Sequence, residues 1–400
     1  MKNLINILCF CIPISSIRRP LRAKLKKYWY QHSSKKSLLT KNLSGRPVIL
    51  WIDHSLGGGT DTYSKNQFAE LTNDFDIVRM QYFPFEQNYR LTFVQNNNYT
   101  YTSPNLDDIY KICTRIPIKR IVINNLVSYA ETLSVLKFIS RLKHHHKNTH
   151  TSFRGHDFQS LCPSFNLLDC DGKFCNFTHC HGCEYCWKNK ILGTNEIENK
   201  ILRSGADTIK NWREQWGKLF SETVDDVIVF SNKIKEMFIQ IYPQLSDKII
   251  VIPHKTKTYP IVNIPKHTDI NIAVLGNILP AKGRDVIIEM SRHLPKNTNI
   301  IVIGTMADAP SNIKITGAYN PSKLPDLMQR HKIDIVFIPS IWPETFSYTT
   351  SEAISMGLPV ACYNMGAPSE RVEQYSRGLV LNEISPKENL NQILEFIKGL

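Results

Sequence analysis

Two glutamates, Glu344 and Glu352, stand eight positions apart in the segment PETFSYTTSEAISMGLPV. A carboxylate can accept two hydrogen bonds from the vicinal hydroxyls of a sugar or a ribose. The residues between them lead into a helical pattern, and the N–H groups at a helix start favour phosphate. A strand-like run precedes the segment and G-L-P-V follows it, which makes the spacing specific. The segment therefore predicts a site for a phosphorylated sugar or nucleotide.

A second candidate anion site is the run Gly57-Gly58-Gly59-Thr60, between a strand-like segment and a helical one. Glycines permit close approach of the backbone, and N–H groups at a helix start attract phosphate. The run matches neither G-x-G-x-x-G nor a Walker A loop, so it does not support NAD or ATP binding. Taken alone, an ordinary turn between a strand and a helix explains it equally well.

The pair His156-Asp157 lies in a loop between a strand and a Cys-Pro turn. Such a pair is commonly part of a core, but its place in a loop favours a functional role. Asn124 and Asn125 end another strand, where they either line a ligand site or form a turn.

Six cysteines fall within residues 162–186. Their C-x2-C-x2-C spacing suits zinc bound by thiolates. The ligands of this possible structural zinc would be Cys175, Cys180, Cys183 and Cys186. A reduced loop or a disulfide-bonded loop is the alternative.

The elements that must position these residues alternate between strands and helices. Strand-like runs include 47–53, 76–83 and 120–126, and residues 89–103 have the pattern of a hairpin. Six further short β-rich runs, separated by helix-length segments, follow a polar linker at 255–268. This alternation predicts an α/β protein with two Rossmann-like domains facing one another across a cleft. The expected domains are 46–255, which carries the cysteine-rich insertion, and 256–400.

The net charge of +14 is concentrated at the N-terminus. Residues 1–50 contain eleven Lys or Arg and no acid, whereas the remaining 350 residues carry 38 basic and 35 acidic side chains. A nearly neutral body disfavours general nucleic-acid binding.

An apolar run, residues 4–17, precedes the cationic residues 18–27 and the aromatic residues 28–30. The run is too short to span a bilayer and lacks a signal-peptide pattern. Residues 1–45 therefore predict attachment to an anionic membrane surface without spanning it, on the cytoplasmic face. A solvated tail is the alternative.

Together these motifs resemble retaining glycosyltransferases of the GT-B fold, in the large group called family 4. The resemblance covers about residues 45–400 and includes E-x7-E, the glycine loop, LGNILPAKG (275–283) and FRGHDF (153–158). The segment HDFQSLCPSFNLLDCDGKFC is similar to members that build bacterial surface polysaccharides. The implied reaction moves a sugar from a nucleotide-sugar to a lipid-linked glycan and needs no metal or other cofactor.

The resemblance also implies roles for individual residues. Glu344 would hold hydroxyls of the donor sugar, Glu352 would bind the ribose, and His156 would contact the sugar. The remaining donor-binding residues would be Gly58, Gly59, Thr60, Lys282, Arg284, Thr345, Phe346 and Ser347. One departure from the family pattern is Asn277, which stands where a basic residue is usual, so Arg284 or another cation would have to supply that charge.

Two other functions are consistent with parts of the sequence. A sugar-nucleotide epimerase shares the fold but releases a free sugar nucleotide and needs no membrane-binding segment. A zinc-containing nucleic-acid-binding protein would use the cysteines and the basic N-terminus, but it leaves E-x7-E and the two α/β halves unexplained.

Overall fold

The structure is a computed structural model that describes residues 43–97, 99–177, 182–189 and 206–400, together with Leu21 and Leu25. Almost all of the predicted membrane-binding segment 1–45 lies outside the described residues. The chain divides into two compact units: residues 1–165, 181–228 and 238–250 form the first, and residues 166–180, 229–237 and 251–400 form the second. No helix in the described part of the chain is long and apolar enough to cross a membrane.

The first unit is built on an eight-stranded sheet with the order β4-β3-β2-β1-β5-β6-β7-β8. Its strands are β1 (Val48–Asp53), β2 (Asp76–Phe83), β3 (Asn88–Phe93), β4 (Thr100–Ser103), β5 (Ile118–Ile123), β6 (His150–Arg154), β7 (Asp226–Val229) and β8 (Ile249–Val251). Its helices are α1 (Gly59–Leu71), α2 (Leu106–Cys113), α3 (Thr132–His145), α4 (Gly182–Asn189) and α5 (Ile209–Glu222), and α6 (Asn232–Ile241) spans both units.

Strand β1 lies at the centre of this sheet and pairs in parallel with β2 and β5. All six of its residues, VILWID, are buried, as expected for a parallel strand covered on both faces. Strands β3 and β4 extend the sheet as an antiparallel hairpin, which confirms the pattern at 89–103.

The second unit contains a six-stranded sheet with the order β11-β10-β9-β12-β13-β14, and every pairing in it is parallel. Its strands are β9 (Ile270–Ile278), β10 (Thr298–Met306), β11 (Ile313–Ile315), β12 (Ile335–Ile338), β13 (Val360–Tyr363) and β14 (Gly378–Leu381). Its helices are α7 (Arg284–Ser291), α8 (Leu324–Arg330), α9 (Tyr348–Ser355), α10 (Gly366–Glu373) and α11 (Pro386–Lys398).

Alternate residues of β9 enter two separate apolar cores. Ile272 and Val274 belong to one buried cluster, and Ala273 and Leu275 belong to another. Because successive side chains of a strand point to opposite faces, helices must cover both faces of this sheet. The structure thereby confirms the predicted α/β fold class with two parallel-sheet units.

Candidate active site

The candidate active site of the second unit begins where β9 and β12 end. These strands are neighbours and run in parallel, so the loops that follow them leave the same edge of the sheet. The first loop carries Lys282 and the second carries Glu344, and the Lys282 Nζ lies 2.6 Å from the Glu344 Oε2. The Ser340 hydroxyl donates to the other carboxylate oxygen. Tertiary structure thus joins two residues that the sequence selected separately.

Glu344 is almost completely buried, with 4% of its surface exposed. Burial opposes ionisation, but the Lys282 ammonium and the Ser340 and Ser347 donors outweigh it and hold the pKa of Glu344 below its usual range. The side chain is therefore a charged acceptor at neutral pH. A small cavity of about 100 Å³ opens beside it, lined in part by Asn277 and Thr349.

Two glycines allow the surrounding loops to approach so closely. Gly283 follows Lys282 with a φ of +83°, and a Cβ at this position would lie 2.0 Å from the Pro339 carbonyl oxygen. Gly366 has a φ of +58°, and a Cβ there would lie 2.6 Å from the Glu344 carbonyl oxygen. Any larger residue would push the loops that carry Lys282 and Glu344 apart.

Arg371, which the sequence analysis did not select, supports the loop after Glu344. Its guanidinium donates to the Phe346 carbonyl, to the Ser347 carbonyl at 3.1 Å and to the Ser351 hydroxyl. It also lies 4.4 Å from the centre of the Phe346 ring. Ser347 has a φ of +75°, a strained conformation for a residue other than glycine. Arg371 supplies the contacts that hold this backbone at the start of α9.

Replacing Arg371 with lysine keeps the charge but removes the planar fork of donors. We expect Arg371→Lys to lower kcat about 10-fold, because loss of about 1–1.5 kcal/mol of hydrogen bonding at Ser347 misplaces Glu344 and the start of α9. Steady-state kinetics should show this, with Arg377→Lys, on the loop before β14, as the matched control. Unchanged kcat in Arg371→Lys would mean that the fork does not position the loop.

A buried histidine, His254, completes the packing around this loop. Its ring stacks on Phe346 with 4.2 Å between centroids and contacts Phe230 at 4.0 Å. Burial, together with the charge of Arg371, lowers the pKa of His254 to about 3. The imidazole is therefore neutral at physiological pH and supports the loop without adding a second positive charge.

Glu352 occupies the second turn of α9 and is partly buried. Burial raises its pKa, against the opposing charge of Lys257. Its charge in turn raises the pKa of Tyr259 and Tyr319, which are already raised by burial. Glu352 thus lies in an aromatic pocket that differs from the ion-paired surroundings of Glu344, and this placement suits binding of a hydroxylated ring.

The remaining predicted donor residues of this unit also lie near strand ends. Thr345 is buried, and Asn277 accepts a hydrogen bond from the Thr305 hydroxyl at 2.9 Å. Arg284 begins α7 and pairs with Asp285 at 2.9 Å and with Asp308 at 3.7 Å. Because two carboxylates already offset its charge, Arg284 is a weaker candidate than Lys282 for neutralising a diphosphate.

The glycine loop of the first unit lies at the start of α1. Gly58 precedes the helix without a side-chain cap, and Gly59 and Thr60 form its first turn. His54, which the sequence analysis did not assign, lies just before this loop and accepts a hydrogen bond from the Leu56 N–H at 3.0 Å. Burial lowers the pKa of His54, and its Nε2 has no hydrogen-bond partner among the described residues. A neutral imidazole N–H is therefore available beside the glycine loop.

His156 belongs to a buried polar network in the same unit. Its Nε2 lies 3.1 Å from the Asn124 Oδ1, and the Asn124 amide donates to Asp53 and Ser64 at 3.1 Å each. Tyr63 contacts the imidazole edge-on at 4.7 Å. Because Asn124 donates through Nδ2, it accepts the Nε2–H of His156 and fixes the tautomer of the ring. The network resolves the two readings of Asn124 in favour of a positioning role for its side chain.

Asp157 accepts hydrogen bonds from the Asn125 amide and the Gln159 N–H, both at 2.6 Å. Burial, which these donors only partly offset, raises the pKa of Asp157 to about 7. The folded state therefore binds a proton that the unfolded chain releases near pH 4. Between those pKa values this group should lower the free energy of unfolding by about 1.4 kcal/mol for each unit of rising pH.

We expect Asp157→Asn to remove that component of the pH dependence. Urea unfolding of the wild type and the variant at several pH values between 4 and 8 measures it. Asp247→Asn, an exposed position near β8, is the control. Parallel stability curves for the wild type and Asp157→Asn would contradict the raised pKa.

The cysteine prediction falls partly outside the described residues. Cys175, Cys183 and Cys186 are described, whereas Cys180 is not. Among the residues that the structure describes, no three His, Cys, Asp or Glu side chains are grouped to hold a metal ion. Because Cys180 is needed to complete the set, the zinc site stays a prediction.

Comparison with known proteins places the second unit in context. Residues 256–399 match the family model described as Glycosyl transferases group 1. This half of the chain is similar to that family. The match covers Lys282, Glu344, Glu352 and Arg371. No curated protein gives a significant match to the chain.

Solved structures of low sequence identity have the same fold as the whole chain. HepE from Anabaena in complex with UDP-glucose is 15% or less identical, with 14% identity, a TM-score of 0.56 and coverage of 88% of this chain and 90% of that one. The lipopolysaccharide outer core galactosyltransferase WaaB has 10% identity, a TM-score of 0.55 and the same coverage. Sucrose-phosphate synthase from Thermosynechococcus elongatus has 13% identity, a TM-score of 0.53 and again the same coverage. These likenesses confirm the GT-B fold class and, with the family match, support a glycosyltransferase.

Proposed function

We propose that this protein is a retaining glycosyltransferase that moves a hexose from a nucleotide diphosphate sugar to a lipid-linked glycan during synthesis of a bacterial surface polysaccharide. The observation that carries the proposal is the ion pair between Lys282 and the buried Glu344. It joins a cation for a leaving diphosphate to a carboxylate for a sugar, inside the segment that matches group 1 glycosyl transferases.

The chemistry requires stabilisation of negative charge on the departing nucleotide diphosphate. The Lys282 side chain is 38% exposed, so its ammonium can contact a diphosphate while it remains beside Glu344. The N–H groups at the start of α9 would add partial positive charge. Glu344 would accept hydrogen bonds from the donor sugar, Glu352 would hold the ribose, and the glycine loop and His156 would contact the reacting region.

The choice of donor and acceptor draws on the structural neighbours. The HepE structures contain UDP-glucose or UDP, and WaaB is a lipopolysaccharide galactosyltransferase. These ligands and substrates belong to those proteins, but they make UDP-hexoses the first donors to test here. The lipid-linked acceptor follows from the basic N-terminal segment and from the resemblance to enzymes of surface polysaccharide synthesis.

The test is incubation of the full chain with bacterial membranes and a panel of nucleotide sugars, with mass spectrometry of the extracted glycolipids. A mass increase of one hexose on a lipid-linked glycan, together with release of the nucleotide diphosphate, supports the proposal. Conversion of the donor to an isomeric sugar nucleotide without an acceptor would instead identify an epimerase. A donor panel left wholly unconsumed would overturn both assignments.

We also propose that residues 1–45 attach the enzyme to the inner membrane face. The structure gives the boundary for a test, because the Ser44 N–H and hydroxyl bond to Asp76 at 2.6 and 2.7 Å and so belong to the folded unit. A chain beginning at Leu43 should no longer sediment with anionic vesicles at low salt, whereas the full chain should. Each engaged cation contributes about 1 kcal/mol near the surface, and salt screens that attraction.

The matched control is a full-length variant in which the six cations of residues 18–27 are replaced by glutamine. It should lose the salt-sensitive part of vesicle binding and keep the part that comes from the apolar run. Equal sedimentation of all three proteins would show that the segment does not bind membranes. A structural zinc in the cysteine segment and catalysis without a metal remain predictions alongside this proposal.

A further inference from the structure

An open groove in the first unit takes no part in the proposed donor site. Its volume is about 610 Å³, within the usual range for small-molecule sites. It lies beside the carboxyl end of β2, where Tyr82 is the penultimate residue, and beside the first residue pairs of β3 and the first turns of α2 and α3. Ligands of open α/β sheets bind at this edge.

Aromatic rings form the floor of the groove. Tyr82 and Tyr89 are buried, with 4.9 Å between their ring centroids, and Tyr129 packs behind both. Burial and the charge of Glu131 raise the pKa of both Tyr82 and Tyr89, so each phenol keeps its proton. Neither hydroxyl has a hydrogen-bond partner within the described residues, although both side chains line the groove. The floor therefore offers two neutral donors next to flat apolar faces.

Charged side chains of both signs form the rim. Asp107 and Arg141 pair at 3.1 Å. Glu131 and Lys137 are exposed and form no ion pair with any residue that the structure describes. Two acids and two bases leave the rim without net charge, which disfavours a phosphate-rich or cationic ligand. A rim that donates and accepts around an aromatic floor instead complements a ring that has apolar C–H faces and hydroxyls at its edge.

We propose that this groove binds an uncharged saccharide unit. Tyr82 and Tyr89 would contact the face of the sugar ring and donate from their hydroxyls, while Glu131 and Lys137 would bond its edge. As part of the proposed function, on which this role rests, the bound sugar would belong to the glycan acceptor. The groove would then select acceptors by their carbohydrate and not by their lipid.

The test measures saccharide binding to the full chain without any donor. Saturation-transfer NMR and calorimetry with methyl glycosides of glucose, galactose and N-acetylglucosamine, and with maltose and lactose, give the wild-type affinities. The test variant Tyr82→Phe/Tyr89→Phe keeps both rings and removes both hydroxyls, and Lys137→Met removes the rim cation. Tyr99→Phe and Lys111→Met, which lie outside the groove, are the matched controls.

We expect at least one saccharide to bind, and its affinity to fall about fivefold or more in each test variant, because one hydrogen bond contributes about 1 kcal/mol. The controls should stay within twofold, and thermal melts should show that all variants fold. Absence of binding by the whole panel, equal affinity in the test variants, or displacement of the saccharide by inorganic phosphate at the same residues would overturn the inference.

Kinetics separate this inference from the proposed function. The double tyrosine variant should raise KM for the glycan acceptor fivefold or more, while KM for UDP-glucose and its slow hydrolysis stay unchanged. If donor turnover depends on Lys282 but the groove variants behave as the wild type, the groove assignment alone fails. If saccharides bind in the groove but no nucleotide sugar is consumed, the proposed function alone fails.

Discussion

Replacing Glu344 with glutamine should lower kcat for sugar transfer about 100-fold, the loss typical of one electrostatic contact to a reacting group. The substitution keeps the shape of the side chain but removes the charge that accepts from Lys282, Ser340 and Ser347. The amide would also turn a donor toward one of these partners. Affinity for the free nucleotide diphosphate should change by less than threefold, because the lost contact is with the sugar.

Glu352→Gln is the matched control for that experiment. It removes a carboxylate of the same helix-and-loop segment, but one whose neighbours are Tyr259 and Tyr319. We expect donor affinity to fall about 10-fold, from loss of a charge-assisted hydrogen bond of about 1.5 kcal/mol, with kcat close to that of the wild type. Calorimetry with UDP and steady-state kinetics measure the two effects. The reverse pattern, with kcat lost in Glu352→Gln and retained in Glu344→Gln, would exchange the two roles.

Lys282→Met should lower kcat/KM about 100- to 1000-fold and also destabilise the protein. Catalysis suffers because the leaving diphosphate loses its nearest cation. Stability suffers because Glu344, which is 5% exposed at its side chain, keeps a buried charge without a counterion. Breaking a buried pair in this way costs about 3–5 kcal/mol, and we expect about 1–2 kcal/mol here, since the lysine is more than one-third exposed.

The pH dependence of that destabilisation follows from the lowered pKa of Glu344. In the wild type the ion pair contributes stability above the unfolded pKa of the carboxyl, and this contribution is lost as the pH falls through the lower, folded value. The difference between the wild type and Lys282→Met should therefore be largest near pH 7 and should shrink below about pH 4. Urea unfolding at pH 7 and at successively lower pH values measures it.

Arg284→Met serves as the control for Lys282→Met. Its charge is already offset by Asp285 and Asp308, so we expect less than a fivefold loss of kcat/KM and no stability change that depends on acid pH. A larger loss in Arg284→Met than in Lys282→Met would identify Arg284 as the cation that replaces the usual basic residue at Asn277.

Local sequence patterns determined the elements and the ends at which ligands bind. The apolar run of β1, the hairpin at 89–103 and the strand before Glu344 are each recognisable within a few residues, because side-chain alternation and turn residues act over that range. The positions of Glu344, Lys282 and His156 in loops after strands follow from the same patterns. The resemblance added roles to these positions that spacing alone does not contain.

Only the tertiary structure decided which of these residues meet. Lys282 and Glu344 are 62 positions apart in sequence, and they contact because β12 pairs with β9 although β10 and β11 intervene along the chain. Arg371 reaches the Phe346 and Ser347 carbonyls from the helix after the next strand, which no local pattern encodes.

The first unit gives the same result for Asn124 and His156. A pair of asparagines at a strand end is equally compatible with a turn, and only the adjacency of β1, β5 and β6 brings Asn124 between Asp53 and His156. Strand order is set by the long-range packing of helices on both sheet faces, so the pairings at the strand ends are properties of the folded chain. The sequence determined which chemical groups are present at each sheet edge, and the order of the strands decided which of them act together.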